Sequence, residues 1–219
     1  MKFTHVTFDC YGTLIDWRKG IELHLGELLR SNGLAPDVSV HPLYMKLEAE
    51  EEGEYKSYRE VLRDTAIKVA NHLKVLITEE QAKEFAGSVP LWPAFEDTVE
   101  TLTELGRRGY KRVILSNIDR DILKKTIIQN NLDVDGYITA EDVGSYKPAL
   151  EHWNRFFEVY KPNREATIHV AQSVYHDIIP SCRLGIPNAW INRYSEVTPH
   201  GVRPSYVLDS LKGLLSVLA

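Results

Sequence analysis

The sequence predicts an α/β fold in which a doubly wound parallel sheet forms the core and a helical cap domain is inserted after the first strand. Short apolar runs rich in β-branched residues recur along the chain, with helical stretches between them. These runs are continuously apolar, which is typical of strands covered on both faces. One long tract interrupts the alternation and shows helical patterns without a convincing strand.

Five runs are predicted to be strands, and helices with one buried face accompany them. The runs cover residues His5–Phe8, 112–115, Gly136–Thr139, Thr167–Ala171 and Asn188–Ile191. Apolar residues recur at helical spacing at Val99, Leu102 and Leu105 before Gly106, and again at Leu211, Leu214, Leu215 and Leu218. Such spacing indicates one buried helix face. The alternation of strands and helices from residue 112 onward implies a parallel sheet.

The tract between the first two strands is predicted to be entirely helical. Ile21, Leu25, Leu28 and Leu29 form one amphipathic face that ends near Gly33, and a further helix is expected over residues 79–86. Two prolines, Pro90 and Pro93, bracket the return to the αβ pattern. The sequence therefore predicts a core of residues 1–16 and 92–219 and a helical cap of residues 17–91.

Composition excludes several classes of protein. The 219 residues carry a formal net charge of −5, which favours neither a nucleic-acid nor an anionic-membrane partner. No apolar run approaches the roughly 20 residues that span a bilayer, and the N-terminus lacks the apolar region of a signal peptide. The two cysteines, Cys10 and Cys182, provide neither a disulfide framework nor a zinc site. We expect a soluble cytoplasmic protein with free thiols.

Polar side chains follow the predicted strands at the edge where an open parallel sheet binds its ligands. They are Asp9, Tyr11, Gly12 and Thr13 after the first strand, Ser116 and Asn117 after the second, Lys147 after the third, and Gln172, Ser173 and Asp177 after the fourth. Each has an ordinary structural explanation on its own: Asp9 could cap a turn, Lys147 could be a surface lysine, and Asp177 could be a helix N-cap. Their convergence on one edge predicts a catalytic site.

These segments resemble a known superfamily. The stretches FDCYGTL, LSN and SYKP, with the loop that ends in Asp177, resemble in order the four motifs of the haloacid dehalogenase superfamily, and the resemblance covers essentially the whole chain. The YGTL form of the first motif and the stretch AWINR are similar to the L-2-haloacid dehalogenases (type II). The resemblance implies a Rossmann-like core, a cleft beneath the helical cap, and members that are often homodimers.

The resemblance also implies a role for each residue. Asp9 would be a nucleophile that forms a covalent ester, and Lys147 would keep its carboxylate ionised. Thr13 and Ser116 would bind the substrate carboxylate or position the nucleophile, Asn117 would donate toward the departing halide, and Asp177 would hold Lys147 and orient water. The implied substrate-binding positions are Tyr11, Gly12, Gln172, Ser173, Tyr44 and Trp153, and His176 is expected to be a pocket wall or a solvent contact. Tyr44 and Trp92 are expected either to exclude water or simply to pack the cap on the core.

Two positions argue against metal-assisted phosphoryl transfer. Phosphatases of the superfamily usually carry a second Asp two residues after the nucleophile, where this chain has Tyr11. They also use an acidic metal ligand five residues before the last motif Asp, where this chain has Gln172. Magnesium prefers carboxylate oxygens. We therefore expect no metal and no cofactor.

Other positions depart from the dehalogenases. The cap stretch 43–48 (LYMKLE) has no Arg at the place where the resemblance implies a halide-site Arg, which leaves Lys46, Arg18 and Arg59 as candidate replacements. Val174 and Ile118 also replace an expected Asn and Gly.

The function that follows is metal-independent hydrolytic dehalogenation of short 2-haloalkanoic acids to 2-hydroxy acids of inverted configuration. The predicted partner is a small halocarboxylic acid. Two alternatives stay open: a magnesium-dependent small-molecule phosphatase of the same superfamily, and a non-catalytic relative that binds a small acid.

Overall fold

A computed structural model describes residues 3–219 and contains one sheet of six parallel strands. The strands are β1 (His5–Phe8), β2 (Lys111–Ser116), β3 (Gly136–Thr139), β4 (Thr167–Ala171), β5 (Asn188–Ile191) and β6 (Tyr206–Leu208). Their order in the sheet is β3-β2-β1-β4-β5-β6, and every neighbouring pair is parallel. The predicted α/β class and the doubly wound parallel sheet are therefore confirmed.

The central strands are buried on both faces, as their continuous apolar sequences predicted. Every residue of β4 and β5 is buried, and so is every residue of β2 after Lys111. The sixth strand, β6, was missed. It is three residues long, is only partly buried, and pairs with β5 at the edge of the sheet. So short a strand carries no readable periodicity.

The chain between β1 and β2 is helical, as predicted. We call residues 17–91 the insert; its helices are α1 (Trp17–Ile21), α2 (Glu27–Ser31), α3 (His41–Glu51), α4 (Tyr58–His72) and α5 (Glu79–Gly87). A π-helical turn, Glu22–Gly26, joins α1 to α2, and a 3-10 turn, Val89–Leu91, follows α5. The division of the chain into a core and a cap domain at these bounds stays a prediction.

The remaining helices flank the sheet. They are α6 (Thr98–Arg107), α7 (Arg120–Gln129), α8 (Ala140–Val143), α9 (Glu151–Tyr160), α10 (Ile179–Arg183) and α11 (Leu214–Val217). Leu102 and Leu105 of α6 are buried, as their spacing predicted. The predicted C-terminal helix is shorter than its leucines suggested, because Leu211–Gly213 form a 3-10 turn before α11. None of the helices within residues 3–219 has the length and apolar character needed to cross a membrane.

The chain enters and leaves the insert through two segments that lie side by side. The Asp16 amide donates to the Pro93 carbonyl at 2.8 Å, and the Phe95 amide donates to the Leu14 carbonyl at 3.0 Å. Further along, the carboxylate of Asp119, just after β2, accepts the amides of Tyr58 and Arg59 at 2.9 Å each. The two bonds to Asp119 hold the N-terminal end of α4 against the loop that follows β2, at the carboxyl ends of the strands.

Candidate active site

Asp9 lies directly after β1 and begins a sharp turn. Gly12 in this turn has φ +99°, and a Cβ atom added there would lie 2.9 Å from Nε1 of Trp17. Only glycine adopts this backbone without strain. The turn brings Thr13 back to Asp9, and its hydroxyl donates to Asp9 Oδ2 at 2.9 Å. The DCYGT sequence thus fixes the orientation of the Asp9 carboxylate.

Lys147 joins the two carboxylates that the sequence singled out. Its Nζ lies 2.9 Å from Asp9 Oδ1 and 2.7 Å from Asp177 Oδ1, and it also donates to the Leu115 carbonyl at 2.9 Å. Lys147 is 1% exposed and Asp177 is fully buried. A buried ammonium needs such partners, because an unpaired buried charge is strongly unfavourable.

The protonation of this cluster follows from burial and charge. Burial raises the pKa of Asp9, which the Lys147 ammonium partly offsets. Burial also works against the charged form of Lys147, but the carboxylates of Asp177 and Asp9 outweigh it and raise the pKa of Lys147. For Asp177, the Lys147 ammonium and a hydrogen bond from His169 overcome burial and lower the pKa to about 2. Lys147 and Asp177 therefore form a charged pair at neutral pH.

Asn117 positions the lysine. Its Oδ1 accepts the Lys147 amide at 2.7 Å, and its Nδ2 donates to the Lys147 carbonyl at 3.0 Å. This amide therefore holds the Lys147 backbone on the end of β2. The donation from Asn117 to a halide that the resemblance implied stays a prediction.

A cavity of about 290 Å³ opens above this cluster, between the strand ends and the insert. Eight of the predicted residues line it: Asp9, Tyr11, Ser116, Asn117, Lys147, Gln172, Ser173 and Asp177. His176 and Trp92 also line the cavity. The convergence of the strand-end residues on one site is thus observed.

The family of the chain can now be stated. The family model for haloacid dehalogenase-like hydrolases matches residues 3–179. The chain belongs to this family. The resemblance of its four motifs to the haloacid dehalogenase superfamily is thereby confirmed.

Solved structures and sequence relatives agree on the fold of this haloacid dehalogenase-like hydrolase. An L-2-haloacid dehalogenase from Xanthobacter autotrophicus with chloropropionic acid covalently bound superposes with a TM-score of 0.85 at 18% identity, covering 99% of this chain and 98% of that one. The HAD-hydrolase YfnB from Bacillus subtilis bound to magnesium superposes with a TM-score of 0.81 at 19% identity, covering 100% and 99%. Pyrophosphatase PpaX from Bacillus mycoides (strain KBAB4) is 27% identical, covering 100% of this chain and 98% of the relative.

Tyr11 and Gln172, which stand where the resemblance leads us to expect acids in a phosphatase, are bonded to other groups. The Tyr11 hydroxyl bonds Thr126 Oγ1 at 2.9 Å, on α7. Gln172 Nε2 points to the Glu196 carboxylate at 3.3 Å, and its backbone amide donates to Thr13 Oγ1 at 2.9 Å. Neither side chain can replace the missing carboxylate.

The donors near Asp9 fit a divalent cation poorly. A hard cation such as Mg²⁺ prefers several oxygen ligands with carboxylates among them. Here Asp9 and Asp177 already share the Lys147 ammonium. In the part of the chain that the structure describes, no group of three or more His, Cys, Asp or Glu side chains is placed to hold a metal.

Four residues of the predicted site do not line the cavity: Tyr44, Trp153, Thr13 and Gly12. The predicted substrate contacts of Tyr44 and Trp153 were wrong. Tyr44 is fully buried in the insert and packs edge-to-face on Phe85, with ring centroids 5.8 Å apart. Trp153 is 1% exposed and packs edge-to-face on the His169 ring of β4, with ring centroids 5.3 Å apart. Both large rings serve core packing instead. Thr13 and Gly12 also lie outside the cavity wall, and they shape the site through the turn described above.

No basic residue proposed for the missing Arg lines the cavity. Arg18 bonds Glu196 at 3.4 Å and lies over the Tyr194 ring. Arg59 is paired with Asp121 at 2.9 Å, and Lys46 is exposed on α3 outside the cavity.

The α3 face toward the site carries acids instead of an Arg. It consists of Met45, Glu48, Ala49 and Glu52, which recur at helical spacing along and just beyond α3. The spacing of these residues could have indicated that they share a face, but nothing in the sequence said which face of α3 is turned toward the cavity.

His169 is a buried residue of the site that sequence reasoning missed. It lies on β4, and its Nε2 is 3.0 Å from Asp177 Oδ1 while its Nδ1 is 2.8 Å from Thr7 Oγ1. An ionised carboxylate can only accept, so Nε2 of His169 donates to Asp177. The one available signal was a polar residue inside the otherwise apolar run TIHVA.

Proposed function

We propose that the chain hydrolyses a carbon–halogen bond with Asp9 as the nucleophile and without a metal ion. The observation that carries the proposal is the pair Tyr11 and Gln172. These residues stand where superfamily phosphatases carry their second acid and a metal-binding acid, and both side chains are bonded elsewhere. Displacement of a halide needs neither a proton for the leaving group nor a metal.

In the first step, a carboxylate oxygen of Asp9 attacks the carbon that bears the halogen. The carbon–oxygen bond forms as the electron pair of the carbon–halogen bond leaves with the halide, and the product is an ester on Asp9. Lys147 and Thr13 hold the two carboxylate oxygens through bonds of 2.9 Å each. This orientation places the nucleophile in a fixed position relative to the cavity.

In the second step, water attacks the carbonyl carbon of the Asp9 ester. The Lys147 ammonium stabilises the negative charge that develops on the carbonyl oxygen. Asp177 Oδ2 is buried without a hydrogen-bond partner, so it can accept a hydrogen bond from the attacking water. Cleavage of the acyl–oxygen bond releases an alcohol and restores Asp9. Over both steps, the substrate and one water give the alcohol, the halide ion and one proton. The carbon that bore the halogen undergoes one displacement, so its configuration is inverted.

The substrate class implied by the resemblance is the short 2-haloalkanoic acids, which would give 2-hydroxy acids. The likeness to a dehalogenase with chloropropionic acid covalently bound supports carbon–halogen chemistry. The aromatic and aliphatic walls of the cavity, among them Trp92 and Leu62, suit a small alkyl group.

A second candidate is hydrolysis of a phosphate ester or of pyrophosphate. The pyrophosphatase relatives favour it, because they match along the full length of the chain. It would require Asp9 and Asp177 to exchange their shared ammonium for a metal, although residues 3–219 place no third ligating acid with them.

One experiment separates these functions. Halide release is measured in EDTA with chloro- and bromoalkanes that end in a carboxylate, an alcohol or an ammonium group. Phosphate release is measured in parallel with magnesium, from p-nitrophenyl phosphate and from pyrophosphate. We expect halide release from at least one substrate, abolished by Asp9→Asn and unchanged by Glu50→Gln, an exposed residue outside the cavity. Phosphate release alone would overturn the proposal. Binding without either reaction would indicate the non-catalytic relative.

A further inference from the structure

The insert side of the cavity is acidic and aromatic. Glu48 and Glu52 lie one helical turn apart and both line the cavity. Tyr58 of α4 stands beside them and donates its hydroxyl to Glu48 Oε1 at 2.8 Å. The rings of Trp17 and Trp92 line the same cavity.

The acidic groups of the cavity outnumber the available cations. Among residues 3–219, the basic side chains that line the cavity are Lys147 and His176, and each is already paired. Lys147 is shared by the two carboxylates beneath it, and His176 Nε2 lies 3.1 Å from Glu52 Oε2. Glu48 has no cationic partner among the ion pairs of the described residues, and the fully buried Asp177 leaves its Oδ2 without a hydrogen-bond partner.

The excess of acidic groups affects the pKa of Glu48. Burial and the neighbouring charge of Glu52 raise the pKa of Glu48 to about 7, although the hydrogen bond from Tyr58 and the nearby His176 work in the opposite direction. A carboxylate that is hard to ionise in the empty cavity becomes easy to ionise beside a positive charge.

We propose that the substrate carries a protonated amine at the end away from the reacting carbon, and that Glu48 and Glu52 bind this amine. The two carboxylates supply charge-assisted hydrogen bonds, and the faces of the neighbouring aromatic rings attract a cation. A substrate that ended in a carboxylate at this wall would instead meet two like charges without a free cation. The reaction itself rests on the function proposed above, but the charge preference is a separate property of the cavity.

A metal ion accounts for the acidic wall less well than an amine. The described residues contain no group of three ligating side chains at this wall or elsewhere. A single ammonium needs only the two carboxylates and the aromatic side chains that line the cavity.

The charge preference is tested by calorimetric titration with three probes of equal length: butylammonium, butanol and butyrate. We expect butylammonium to bind with a dissociation constant about tenfold or more below that of butyrate, because a charge-assisted hydrogen bond contributes roughly 1.5–3 kcal/mol. The double variant Glu48→Gln/Glu52→Gln removes this preference. Glu50→Gln, on the same helix but exposed and outside the cavity, preserves it.

The pH dependence gives a second readout. Glu48 ionises near pH 7, so the affinity for butylammonium rises from about pH 6 to about pH 8. Glu52 raises the pKa of His176 against the effect of burial. When His176 loses its proton as the pH rises, it no longer neutralises Glu52, so this step also increases the affinity for butylammonium. Glu48→Gln flattens the part of the rise that is due to Glu48, while butanol binding stays independent of pH.

The outcomes distinguish this inference from the proposed reaction. Equal or tighter binding of butyrate overturns the charge preference, whether or not halide is released. Specific binding of magnesium at this wall would overturn it too. The signs would be that magnesium chloride binds, that neither organic probe displaces it, and that it fails to bind the Glu48→Gln/Glu52→Gln variant. Preferential binding of butylammonium without halide release from any substrate would sustain the charge preference and contradict the carbon–halogen chemistry.

Discussion

At the residue scale, the position of Asp177 depends on His169. Lys147 and His169 both bond Oδ1 of Asp177, at 2.7 Å and 3.0 Å, while the buried Oδ2 has no hydrogen-bond partner. The histidine does not line the cavity, and its ring nitrogens bond Thr7 and Asp177, not Asp9. It is therefore a positioning residue that acts through Asp177.

We expect His169→Phe to lower the rate of ester hydrolysis by about 10- to 100-fold, as small displacements of a positioned group do. The loss of the His169 hydrogen bond also raises the pKa of Asp177 from about 2. Asp177 must be ionised to hold Lys147, so the acidic limb of the pH–kcat profile moves to higher pH. A purely structural residue would lower activity without moving this limb.

The matched variants for this prediction are His169→Gln and Thr7→Val. Gln can still donate an N–H to Asp177, so it should recover most of the rate and of the pH profile. Thr7→Val removes the hydrogen bond to His169 Nδ1 and the 3.5 Å bond to the Ile168 carbonyl, but keeps the bond between His169 and Asp177. A pH profile that is the same for His169→Phe and the unmodified chain would contradict the positioning role.

The residues of the site could be predicted from sequence where a strand end and a motif coincided. Asp9, Lys147 and Asp177 follow strands, and their types and order were sufficient to bring them together. Tyr44 and Trp153 could not be placed, because a buried aromatic ring has the same local sequence whether it faces a cavity or a core. Glu48 could not be placed either, because its position in the cavity depends on how α3 is rotated above the strand ends, which only tertiary packing determines.

At the scale of the elements, Asp119 anchors the insert on the core. Its carboxylate is 7% exposed and accepts the first two amides of α4 from outside that helix. These amides have no partner within the helix, because the first turn of a helix always leaves its N–H groups free. Ser57 provides an ordinary cap at the same end through the Glu60 amide. α4 is thus capped twice, once from its own sequence and once from the core.

We expect Asp119→Ala to lower the free energy of unfolding by about 1–2 kcal/mol, the usual cost of a lost helix cap. Urea denaturation followed by circular dichroism measures this change. Asp121→Ala is the matched control, because Asp121 is exposed and pairs with Arg59 at the surface, where ion pairs contribute about 0–1 kcal/mol. Equal losses in the two variants would contradict the anchoring role.

At the scale of the whole molecule, the core and the insert share one hydrophobic cluster. Phe8 of β1, Ile21 of α1, Leu62 of α4, Leu102 of α6 and Leu214 of α11 all belong to it. The family model ends at residue 179, yet the segment beyond it is tied in: the Tyr110 hydroxyl donates to the Leu218 carbonyl at 2.7 Å.

This continuity predicts a single unfolding transition. Leu214→Ala, far from the insert in sequence, should lower the free energy of unfolding by about 2–5 kcal/mol. Hydrogen exchange at increasing denaturant should then show amides of α4 and β1 becoming exchangeable together, at a lower concentration than in the unmodified chain. Val197→Ala, at a residue that is 90% exposed, should change neither the free energy of unfolding nor the denaturant concentration at which these amides exchange. If α4 kept its original midpoint in Leu214→Ala, the insert would be an independent folding unit.

The paired connections at the base of the insert have a consequence for how new specificity could arise. The ends of the insert are held side by side by the hydrogen bonds from Asp16 to Pro93 and from Phe95 to Leu14. Because the two ends are already adjacent, a segment of quite different length could be spliced between them at little cost in loop entropy. Any replacement that covers the same apolar surface would leave Asp9 and Lys147 in place. The architecture thus lets recombination change what the enzyme recognises while its chemistry is inherited intact.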